Sequence, residues 1–475
     1  MTLVAGIDSS TQSCKVTVRD LATGRQVRHG NARHPPQSIV DPEAWWDALL
    51  LAVQRAGGLE DVVAVSVSGQ QHTPVFLDAR GAVVCGSPLW NDTGSHPHMV
   101  ALNAELGREE WILRTGLPLT LSDTAAKLRW LRDTAPASAG RTSAVAVVHD
   151  WLTWRLRGHG PGSGPGDIDQ LVTDRSEASG TAYWSPETGD YCTDLFLHAF
   201  GKTCVLPRIL GPLEHAGVTG PGLPGIPAGI VVGVGGGDNA AAALALGLQE
   251  GDAVMSLGTS GVVYMRSAAP VHDLSGYVCS YADATGVYLP LVATLNAARN
   301  FEAGASVLGC TYAELSELAL QASPGADGLT LLPFFEGERT PDLPHARGSL
   351  HEASLANFTR PNFARAVIEG TMASQVAMLG ALGASDLRPD RLFLIGGAAT
   401  STAVQTILAQ MVDLPVLTPE TDEYVTKGAA AQATSALTGS FPAWDVTAQE
   451  LPPVPLEKQI GRQHRAAMSA LGYVA

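Results

Sequence analysis

Hydrophobic positions follow two different periods along the chain. Apolar and polar residues alternate around short polar turns in "LVAGIDSSTQSCKVTVRD" (residues 3–20) and in "DAVMSLGTSGVVYM" (residues 252–265), which predicts a strand, a turn and a second strand at each place. Helical spacing predicts helices in "DPEAWWDALLLAVQRAG" (41–57) and in "EYVTKGAAAQATSAL" (423–437). Strands and helices alternate throughout the second half, and this order is typical of an α/β protein.

The two predicted hairpins share one plan, and one of them opens each half of the chain. We interpret this as an internal duplication of a domain plan, carried by the pattern because the residue identity between the two segments is low. A chain of 475 residues is also longer than one hydrophobic core usually supports. We therefore predict an N-terminal domain over residues 1–247 and a C-terminal domain over residues 248–475.

Several features narrow the class of protein. The six cysteines are scattered without a C-x-x-C pair, so the sequence predicts neither a zinc site nor a dense disulfide framework. No run of about 18 apolar residues is free of Gly and Pro, and the first residues do not have the pattern of a signal peptide. We expect a reduced, cytoplasmic enzyme without a membrane span. The Gly- and Pro-rich segment 158–170 predicts an irregular surface loop.

Charge narrows the choice of partner. The formal net charge is −16, which argues against nucleic acid and against an anionic membrane as partners. A neutral substrate suits this charge better. The chain has only five lysines, so the phosphates of a nucleotide ligand would have to be bound by backbone N–H groups and a metal ion.

The segment "GVGGGDNAAAALAL" (233–246) places one carboxylate, Asp238, between glycines and alanines. Glycine allows strained turns and close approach of another molecule, and alanine is the strongest helix former. Asp238 is therefore predicted at a helix N-terminus, directly after a short apolar strand. Two interpretations stay open at this point. Asp238 is the N-cap of the helix, or it faces a cleft and accepts a proton.

The same segment also matches a dinucleotide-binding pattern. Gly235, Gly237 and Ala240 satisfy G-x-G-x-x-A between a strand and a helix, which makes an NAD-dependent oxidoreductase an alternative. That pattern also requires an acidic residue at the end of the next strand to bind the ribose. The next predicted strand ends in residues 258–260, Gly-Thr-Ser, so the acid is missing and this alternative is the minor one.

The two hairpin turns suggest a phosphate site. A tight turn of Gly, Ser and Thr presents several N–H groups and hydroxyls to one point, as a phosphate oxygen requires. The first turn has Asp8 beside it, which could hold a hydrated Mg²⁺, and the second turn has no acid. Phosphoryl transfer needs such a clamp, a metal and a carboxylate that positions the attacking hydroxyl. Asp238 is the candidate for that carboxylate.

Nine segments in order along the chain resemble the successive motifs of the FGGY carbohydrate kinases and, within that family, those of the xylulokinases. They are "AGIDSSTQS", "SGQQH", "PLWND", "TDRSEASGT", "GGGDNA", "SLGTSG", "EGERTP", "LIGGAATS" and "EYVTKGAAAQA", spanning residues 5–433. The resemblance implies two actin-like ATPase (ribonuclease H-like) domains, an N-terminal sugar-binding domain and a C-terminal nucleotide-binding domain. Each would have a mixed five-stranded sheet flanked by helices, and the two would close over a cleft between them.

The resemblance also implies roles for individual residues. Asp238 corresponds to the catalytic base and Asp8 to the carboxylate near Mg²⁺. The positions that correspond to sugar contacts are Gln71, His72, Trp90, Asp238 and Asn239. The positions in the phosphate and adenosine motifs are Ser10, Thr11, Gly258, Thr259, Ser260, Gly396, Gly397 and Ala398. Taken alone, His72 could be a structural histidine, Trp90 a pocket wall, and Glu336 and Arg339 members of an ion pair.

The implied reaction is the ATP-dependent phosphorylation of D-xylulose to D-xylulose 5-phosphate, with ATP and Mg²⁺. Many xylulokinases have Met before the motif's His, whereas this chain has Gln71, so another ketose or a polyol, ribulose for example, is the alternative substrate. Glycerol kinases have an Arg-Glu pair at this place, and its absence argues against glycerol. The expected partners are a small-molecule sugar and MgATP, with no nucleic acid and no membrane. The sequence does not fix the oligomeric state, for which a homodimer is one candidate.

Overall fold

The computed structural model describes residues 1–161 and 167–473. The chain divides into two compact units. The first consists of Met1–Leu248, Ala268–Leu289 and Thr421–Val446, and the second of Gln249–Ser267, Pro290–Glu420 and Thr447–Ala475. The predicted boundary between residues 247 and 248 falls next to the first change of unit. A single boundary does not describe the division, however, because two later segments also belong to the first unit.

Strands and helices are interspersed along the described residues. The strands are β1 (Leu3–Ser9), β2 (Ser13–Asp20), β3 (Gln26–Arg33), β4 (Ile39–Val40), β5 (Val62–Gly69), β6 (Pro74–Leu77), β7 (Ser87–Pro88), β8 (Ala144–Val147), β9 (Val172–Thr173), β10 (Arg208–Ile209), β11 (His215–Val218), β12 (Val231–Gly233), β13 (Gly236–Gly237), β14 (Asp252–Leu257), β15 (Gly261–Met265), β16 (Cys279–Ala282), β17 (Tyr288–Thr294), β18 (Thr330–Leu332), β19 (Ser349–His351), β20 (Arg391–Ile395), β21 (Val416–Pro419) and β22 (Ala448–Glu450).

The helices are α1 (Pro42–Arg55), α2 (His96–Leu106), α3 (Arg108–Thr115), α4 (Thr124–Thr134), α5 (Pro136–Arg141), α6 (Val148–Leu156), α7 (Arg175–Ser179), α8 (Thr193–Phe200), α9 (Asp238–Ala245), α10 (Ala298–Leu308), α11 (Tyr312–Gln321), α12 (Arg360–Ala384), α13 (Thr402–Met411), α14 (Tyr424–Thr438) and α15 (Lys458–Ala470). The helix predicted after Asp41 is confirmed. It begins at Pro42, and the Asp41 side chain caps it by accepting a hydrogen bond from the backbone N–H of Glu43 at 3.1 Å.

The two units contain sheets of the same topology. Each sheet has seven strands, and six of them form a path of matching order: β3-β2-β1-β5-β12-β11 in one sheet and β17-β15-β14-β20-β21-β22 in the other. In both orders two antiparallel pairs are followed by two parallel pairs and a final antiparallel pair. This agreement supports the duplication that the two hairpins predicted. Both sheets are mixed, as expected, but each has seven strands and not the five that the resemblance implied.

Side chains of β1 alternate between the two faces of the first sheet. Leu3, Ala5 and Ile7 belong to a large core cluster that includes Trp45 of α1. Val4, on the opposite face, packs with a smaller cluster that includes alanines of α14. Because the period of a strand is two residues, Gly6 and Asp8 lie on the same face as Val4. The sequence of β1 therefore turns Asp8 toward the side of the sheet that α14 covers.

Close backbone contacts join α14 to the first unit. A Cβ atom added at Gly6 would lie 1.9 Å from the carbonyl oxygen of Thr426, and one added at Gly428 would lie 1.8 Å from the carbonyl oxygen of Ala241 in α9. The Arg19 guanidinium also forms an ion pair with Asp422 at 2.6 Å, just before α14. These contacts explain why a segment late in the sequence belongs to the first unit.

Two further expectations concern helix α12 and the Gly-rich loop. Helix α12 has the length and composition of a membrane span, with a mean hydropathy of 1.2 over an 18-residue window, but 72% of that window is buried inside the protein. This burial is typical of a core helix.

In the predicted loop 158–170, residues 167–170 form a short 3₁₀ turn, and residues 162–166 lie outside the described part of the chain.

The packing of α14 against α9 yields a stability prediction. Replacing Gly428 with Ala should lower the free energy of unfolding by about 1–3 kcal/mol or more, because the added methyl group overlaps backbone that cannot rotate away. The matched control is Gly380→Ala in α12, where no atom lies within 4 Å of the new Cβ. That change should stabilise the protein by about 0.5–1 kcal/mol through helix propensity. Equal unfolding curves for the two variants, measured in denaturant, would contradict the packing described here.

Candidate active site

The register of three parallel strands brings the predicted carboxylates to one edge of the first sheet. Asp8 near the end of β1 is opposite Ser68 of β5, and Ser68 is in turn opposite Gly236 of β13. Asp238 follows two residues later and is the first residue of α9. The carboxyl ends of parallel strands are where open α/β sheets usually bind ligands. Sequence motifs more than 200 residues apart thus meet at one edge.

Asp238 occupies the predicted helix terminus, but it is not the N-cap. Gly237 has that position, and Asp238 is half-buried as the first helical residue. Its Oδ1 accepts hydrogen bonds from the backbone N–H of Asn239 at 2.7 Å and from the side-chain amide of Asn239 at 2.9 Å. Burial raises the pKa of the Asp238 carboxyl to about 6. Of the two interpretations left open by the sequence, the structure is therefore compatible with the proton acceptor.

Asp8 is more deeply buried, with 3% of its surface exposed. Its Oδ1 accepts a hydrogen bond from Ser10 Oγ at 2.5 Å. Burial raises the pKa of Asp8 to about 7, and the negative charge of Asp238 acts in the same direction, while the hydrogen bond from Ser10 opposes both. Two carboxyl groups that resist ionisation form a place where a cation would be stabilising.

Gln71 and His72, which follow the Ser-Gly-Gln of residues 68–70, lie beside this edge of the sheet. Gln71 Nε2 donates a hydrogen bond to the carbonyl oxygen of Ser176 at 2.9 Å, and the Gln71 side chain lies directly against Gly237. His72 has a left-handed backbone, with φ of 72°. Its Nδ1 is 2.6 Å from the carbonyl oxygen of Gly180, so Nδ1 carries the proton in that hydrogen bond. Both predicted sugar contacts are thus held by hydrogen bonds to main-chain carbonyl oxygens.

A lysine that the sequence did not single out supports the backbone of His72. Lys127 of α4 is fully buried, and its Nζ donates to the carbonyl oxygens of His72 at 3.2 Å and of Ser122 at 2.6 Å. Thr124 Oγ1 donates to the same His72 oxygen at 3.0 Å. Burial lowers the pKa of Lys127 to about 7. The only available sequence signal was a lysine among the apolar residues of an amphipathic helix, which does not identify its partner.

Trp90 and Thr11 were predicted for different ligands, and the structure brings them together. The indole Nε1 of Trp90 donates a hydrogen bond to Thr11 Oγ1 at 2.8 Å. Trp90 is half-buried, as a pocket wall would be. The hydroxyls of the first turn are therefore engaged inside the first unit, Thr11 with Trp90 and Ser10 with Asp8.

In the second unit, the phosphate and adenosine motifs lie at the ends of neighbouring parallel strands. Ser256 of β14 is opposite Ile395 of β20, and each strand is followed by its glycine-containing turn. In these turns Gly258, Thr259, Gly396 and Gly397 are exposed, Ser260 is half-buried and Ala398 is buried. A Cβ atom at Gly396, which has φ of 98°, would lie 2.5 Å from the carbonyl oxygen of Leu257. Only glycine permits this approach of the two turns.

The two glutamates of "EGERTP", Glu336 and Glu338, have different partners, which the sequence did not predict. Glu336 forms an ion pair with Arg299 of α10, within the second unit. Glu338, two residues later, is the buried acid of this motif. It accepts hydrogen bonds from the backbone N–H of Leu295 at 2.6 Å and from the side-chain amide of Asn296 at 3.0 Å. Glu338 thus has a structural role in holding the segment after β17.

Comparison with known proteins identifies the class of this molecule. The N-terminal domain of the FGGY family of carbohydrate kinases matches residues 3–245, and the C-terminal domain of the same family matches residues 253–437. The chain belongs to the FGGY family of carbohydrate kinases, which use ATP. This assignment replaces the oxidoreductase alternative that the glycines of residues 235–240 left open.

Within this family, the chain is similar to several proteins that are named as xylulose kinases. The chain is 42% identical over 446 residues to a xylulose kinase of Streptomyces coelicolor, covering 92% of this chain and 88% of the relative. It is 40% identical over 450 residues to a xylulose kinase of Streptomyces rubiginosus, covering 93% and 89%. The crystal structure of xylulose kinase from Bifidobacterium adolescentis is similar with a TM-score of 0.91 and 40% identity, covering 98% of this chain and 99% of that one.

The two glycines of the adenosine motif provide a matched pair of substitutions. Gly396→Ala should destabilise the protein by more than about 1 kcal/mol, because it combines a left-handed backbone with a backbone overlap. Gly397→Ala should change stability by less than about 0.5 kcal/mol, because no atom lies within 4 Å of the added Cβ. Denaturant unfolding of both variants measures the difference, and a Gly396→Ala protein as stable as the unaltered one would contradict the close approach of the two turns.

Proposed function

We propose that this chain transfers the γ-phosphoryl group of MgATP to the terminal C5 hydroxyl of D-xylulose, giving D-xylulose 5-phosphate and ADP. The observation that carries the proposal is Asp238, a half-buried carboxylate with a raised pKa at the carboxyl edge of the first sheet. It lies one residue after Gly237, against which the predicted sugar contact Gln71 packs. The names of the relatives at 40–42% identity support the same substrate.

In this proposal Asp238 is the general base. As the C5 oxygen forms its bond to the γ-phosphorus, the bond from that phosphorus to the leaving oxygen of ADP breaks, and the hydroxyl proton moves to Asp238. The hydrogen bonds from Asn239 hold Oδ1, so Asp238 presents a fixed carboxylate to the hydroxyl. A pKa of about 6 leaves the group ionised at neutral pH yet basic enough to accept the proton.

The carboxylate pair fits a magnesium ion. Mg²⁺ is commonly held by one or two carboxylates together with water and substrate phosphates, and no cluster of three metal-ligating side chains is found among the described residues. Asp8 would hold the ion through its waters, and the ion would supply positive charge to the triphosphate. The proximity of Asp238 raises the pKa of Asp8, and a cation would remove that repulsion.

Sugar binding is assigned to four residues of the first unit. Gln71, His72 and Asn239 offer donors and acceptors to adjacent hydroxyls of an extended ketose, and Trp90 is the pocket wall. Gln71 Nε2 and His72 Nδ1 already have protein partners, so each side chain meets the sugar in one defined orientation. A buried polar site discriminates because a wrong hydroxyl pattern leaves its groups unpaired.

Nucleotide binding is assigned to the turns that end β14 and β20. The turn of residues 258–260 would bind the β- and γ-phosphates, while Gly396, Gly397 and Ala398 would bind the adenosine. Gly258 and Thr259 are exposed in this turn, and the Gly258 N–H donates to the carbonyl oxygen of Ser260 at 3.1 Å. The cytoplasm is the proposed location, since the six cysteines are scattered along the sequence and predict no dense disulfide framework.

The base assignment predicts a large loss of turnover. Asp238→Asn should reduce kcat by a factor of about 10²–10⁴, the usual contribution of a positioned general base. Asp47→Asn, on the exposed face of α1, is the control and should leave kcat unchanged. A near wild-type rate for Asp238→Asn, in a coupled assay of ADP release, would refute the assignment.

The same assignment predicts the pH dependence. The base works in its ionised form, so kcat/KM should fall as the pH drops below about 6, following the raised pKa of Asp238. Without burial an aspartate would keep its charge down to about pH 4. A pH profile of kcat/KM for sugar at saturating MgATP measures the pH at which activity falls on the acidic side. A fall near pH 4 would contradict a base whose pKa is raised by burial.

The choice of sugar is tested by competition between acceptors. We expect D-xylulose to have the highest kcat/KM, D-ribulose or a related ketose a lower value, and glycerol a negligible one. Gln71 is the observation that favours a second candidate, because its polar side chain stands where many xylulokinases have Met. The measurement compares D-xylulose, D-ribulose, L-xylulose, L-ribulose, gluconate and glycerol at one MgATP concentration. A tenfold preference for another acceptor would reject D-xylulose and keep the kinase mechanism.

A further inference from the structure

Two buried serines hold opposite ends of one peptide group next to Asp238. The carbonyl oxygen of Gly236 accepts a hydrogen bond from Ser68 Oγ at 3.0 Å. The N–H of Gly237, which belongs to the same peptide group, donates to Ser176 Oγ at 2.9 Å. Neither serine exposes more than 1% of its surface. The orientation of the peptide that leads into Asp238 is therefore fixed from both sides.

The hydroxyl of Ser176 has a defined direction. Its Oγ donates to Asp174 Oδ2 at 2.6 Å, and the Asp174 carboxylate is held in turn by the backbone N–H groups of Ser176 and Glu177, each at 2.9 Å. Because the hydroxyl proton is committed to Asp174, the lone pairs of Ser176 Oγ accept the Gly237 N–H. A hydrogen bond to a charged group is stronger than a neutral one, so the carboxylate strengthens this contact.

Side-chain packing cannot replace these hydrogen bonds at Gly236 and Gly237. A Cβ atom at Gly236 would lie 3.1 Å from Ser176 Oγ, and one at Gly237 would lie 2.9 Å from Cγ of Gln71. A side chain at either position would push Ser176 or Gln71 aside, and glycine, which has more backbone freedom than any other residue, avoids that contact. The two serine contacts restrict that freedom where the base is attached.

We propose that Ser176, together with Ser68, is a positioning residue that sets the location of the Asp238 carboxylate for proton transfer. This rests on the proposed function, in which Asp238 is the base. Ser176 also binds Gln71, but through its main-chain carbonyl oxygen. Ser176→Ala removes the contact to Gly237 and keeps the contact to Gln71. The role of Ser176 toward the base can thus be separated from its role toward the sugar site.

The experiment compares three single variants with the unaltered enzyme. Ser176→Ala and Ser68→Ala should each lower kcat about 10- to 100-fold, the loss expected when a catalytic group is misplaced by about 1 Å. KM for D-xylulose and for MgATP should change less than threefold. Ser435→Ala in α14 is the matched control, since Ser435 is also fully buried and, among the described residues, its hydroxyl donates to the carbonyl oxygen of Gln432 in its own helix. It should keep the wild-type kcat.

Asp238→Asn, measured in the same series, separates the two proposals. If Asp238→Asn is inactive while Ser176→Ala and Ser68→Ala behave like Ser435→Ala, the positioning role is wrong and the base assignment stands. If Asp238→Asn is active, the proposed function fails first. A loss that appears in KM alone also overturns the positioning role, because it would mean that the serines act on ligand binding.

Folding of the variants is checked by thermal unfolding. If Ser176→Ala does not fold, Ser68→Ala tests the other end of the same peptide by the same kinetic criterion. If neither folds, hydrogen exchange of the Gly237 amide in the unaltered protein decides, since slow exchange supports the contact to Ser176 and exchange at the rate of an exposed amide overturns it.

Discussion

The first unit depends on backbone groups approaching each other more closely than side chains allow. Helix α14 reaches β1 at Gly6 and reaches α9 at Gly428, and in both places a single methyl group would overlap a carbonyl group. Strand β1 carries Asp8 and α9 begins with Asp238. Helix α14 thus packs closely on both elements that carry the two acids, at Gly6 of β1 and at its own Gly428 against α9.

The second constraint at this edge of the sheet is that acidic side chains are buried without enough hydrogen bonds or positive charges to replace water. Asp8 and Asp238 both have raised pKa values because protein replaces water around them. Glu177 is fully buried in the adjacent helix α7, and neither of its carboxylate oxygens has a hydrogen-bond partner among the described residues. Burial and the charges of neighbouring acids, Asp238 among them, raise its pKa well above the usual value. Such a set of acids favours ligands that bring positive charge.

Local patterns predicted the elements well and the long-range contacts poorly. The hairpins that open the two sheets, the helix after Asp41 and the helix start at Asp238 depend on neighbouring residues, so their sequence signals are sufficient. The assignment of α14 to the first unit depends on contacts with residues about 400 positions earlier in the chain. No periodicity carries that information. A linear division at residue 247 therefore does not place α14 with the first unit.

In the candidate site, too, the local motifs could be read from the sequence and the long-range contacts could not. Gln71 and His72 could be placed by their motif, whereas the groups that fix them, Ser176 and Gly180, come from a segment about 100 residues later. A buried lysine such as Lys127 has no sequence signal of its own, because the same spacing describes a solvated residue on an amphipathic helix. The cap position at Gly237 was missed for a related reason, since Asp is the commoner cap and only the observed backbone decides between them.

The placement of α14 has a consequence for the order in which the protein can form during synthesis. A ribosome that has made the first 248 residues has produced both acids and most of the first sheet, but not the helix that covers the Gly6 face of β1. That face stays open to water or to a chaperone until about 200 further residues have been added. The first unit therefore cannot be completed until nearly the whole chain has been made, and the second unit, which includes Thr447–Ala475, is completed later still.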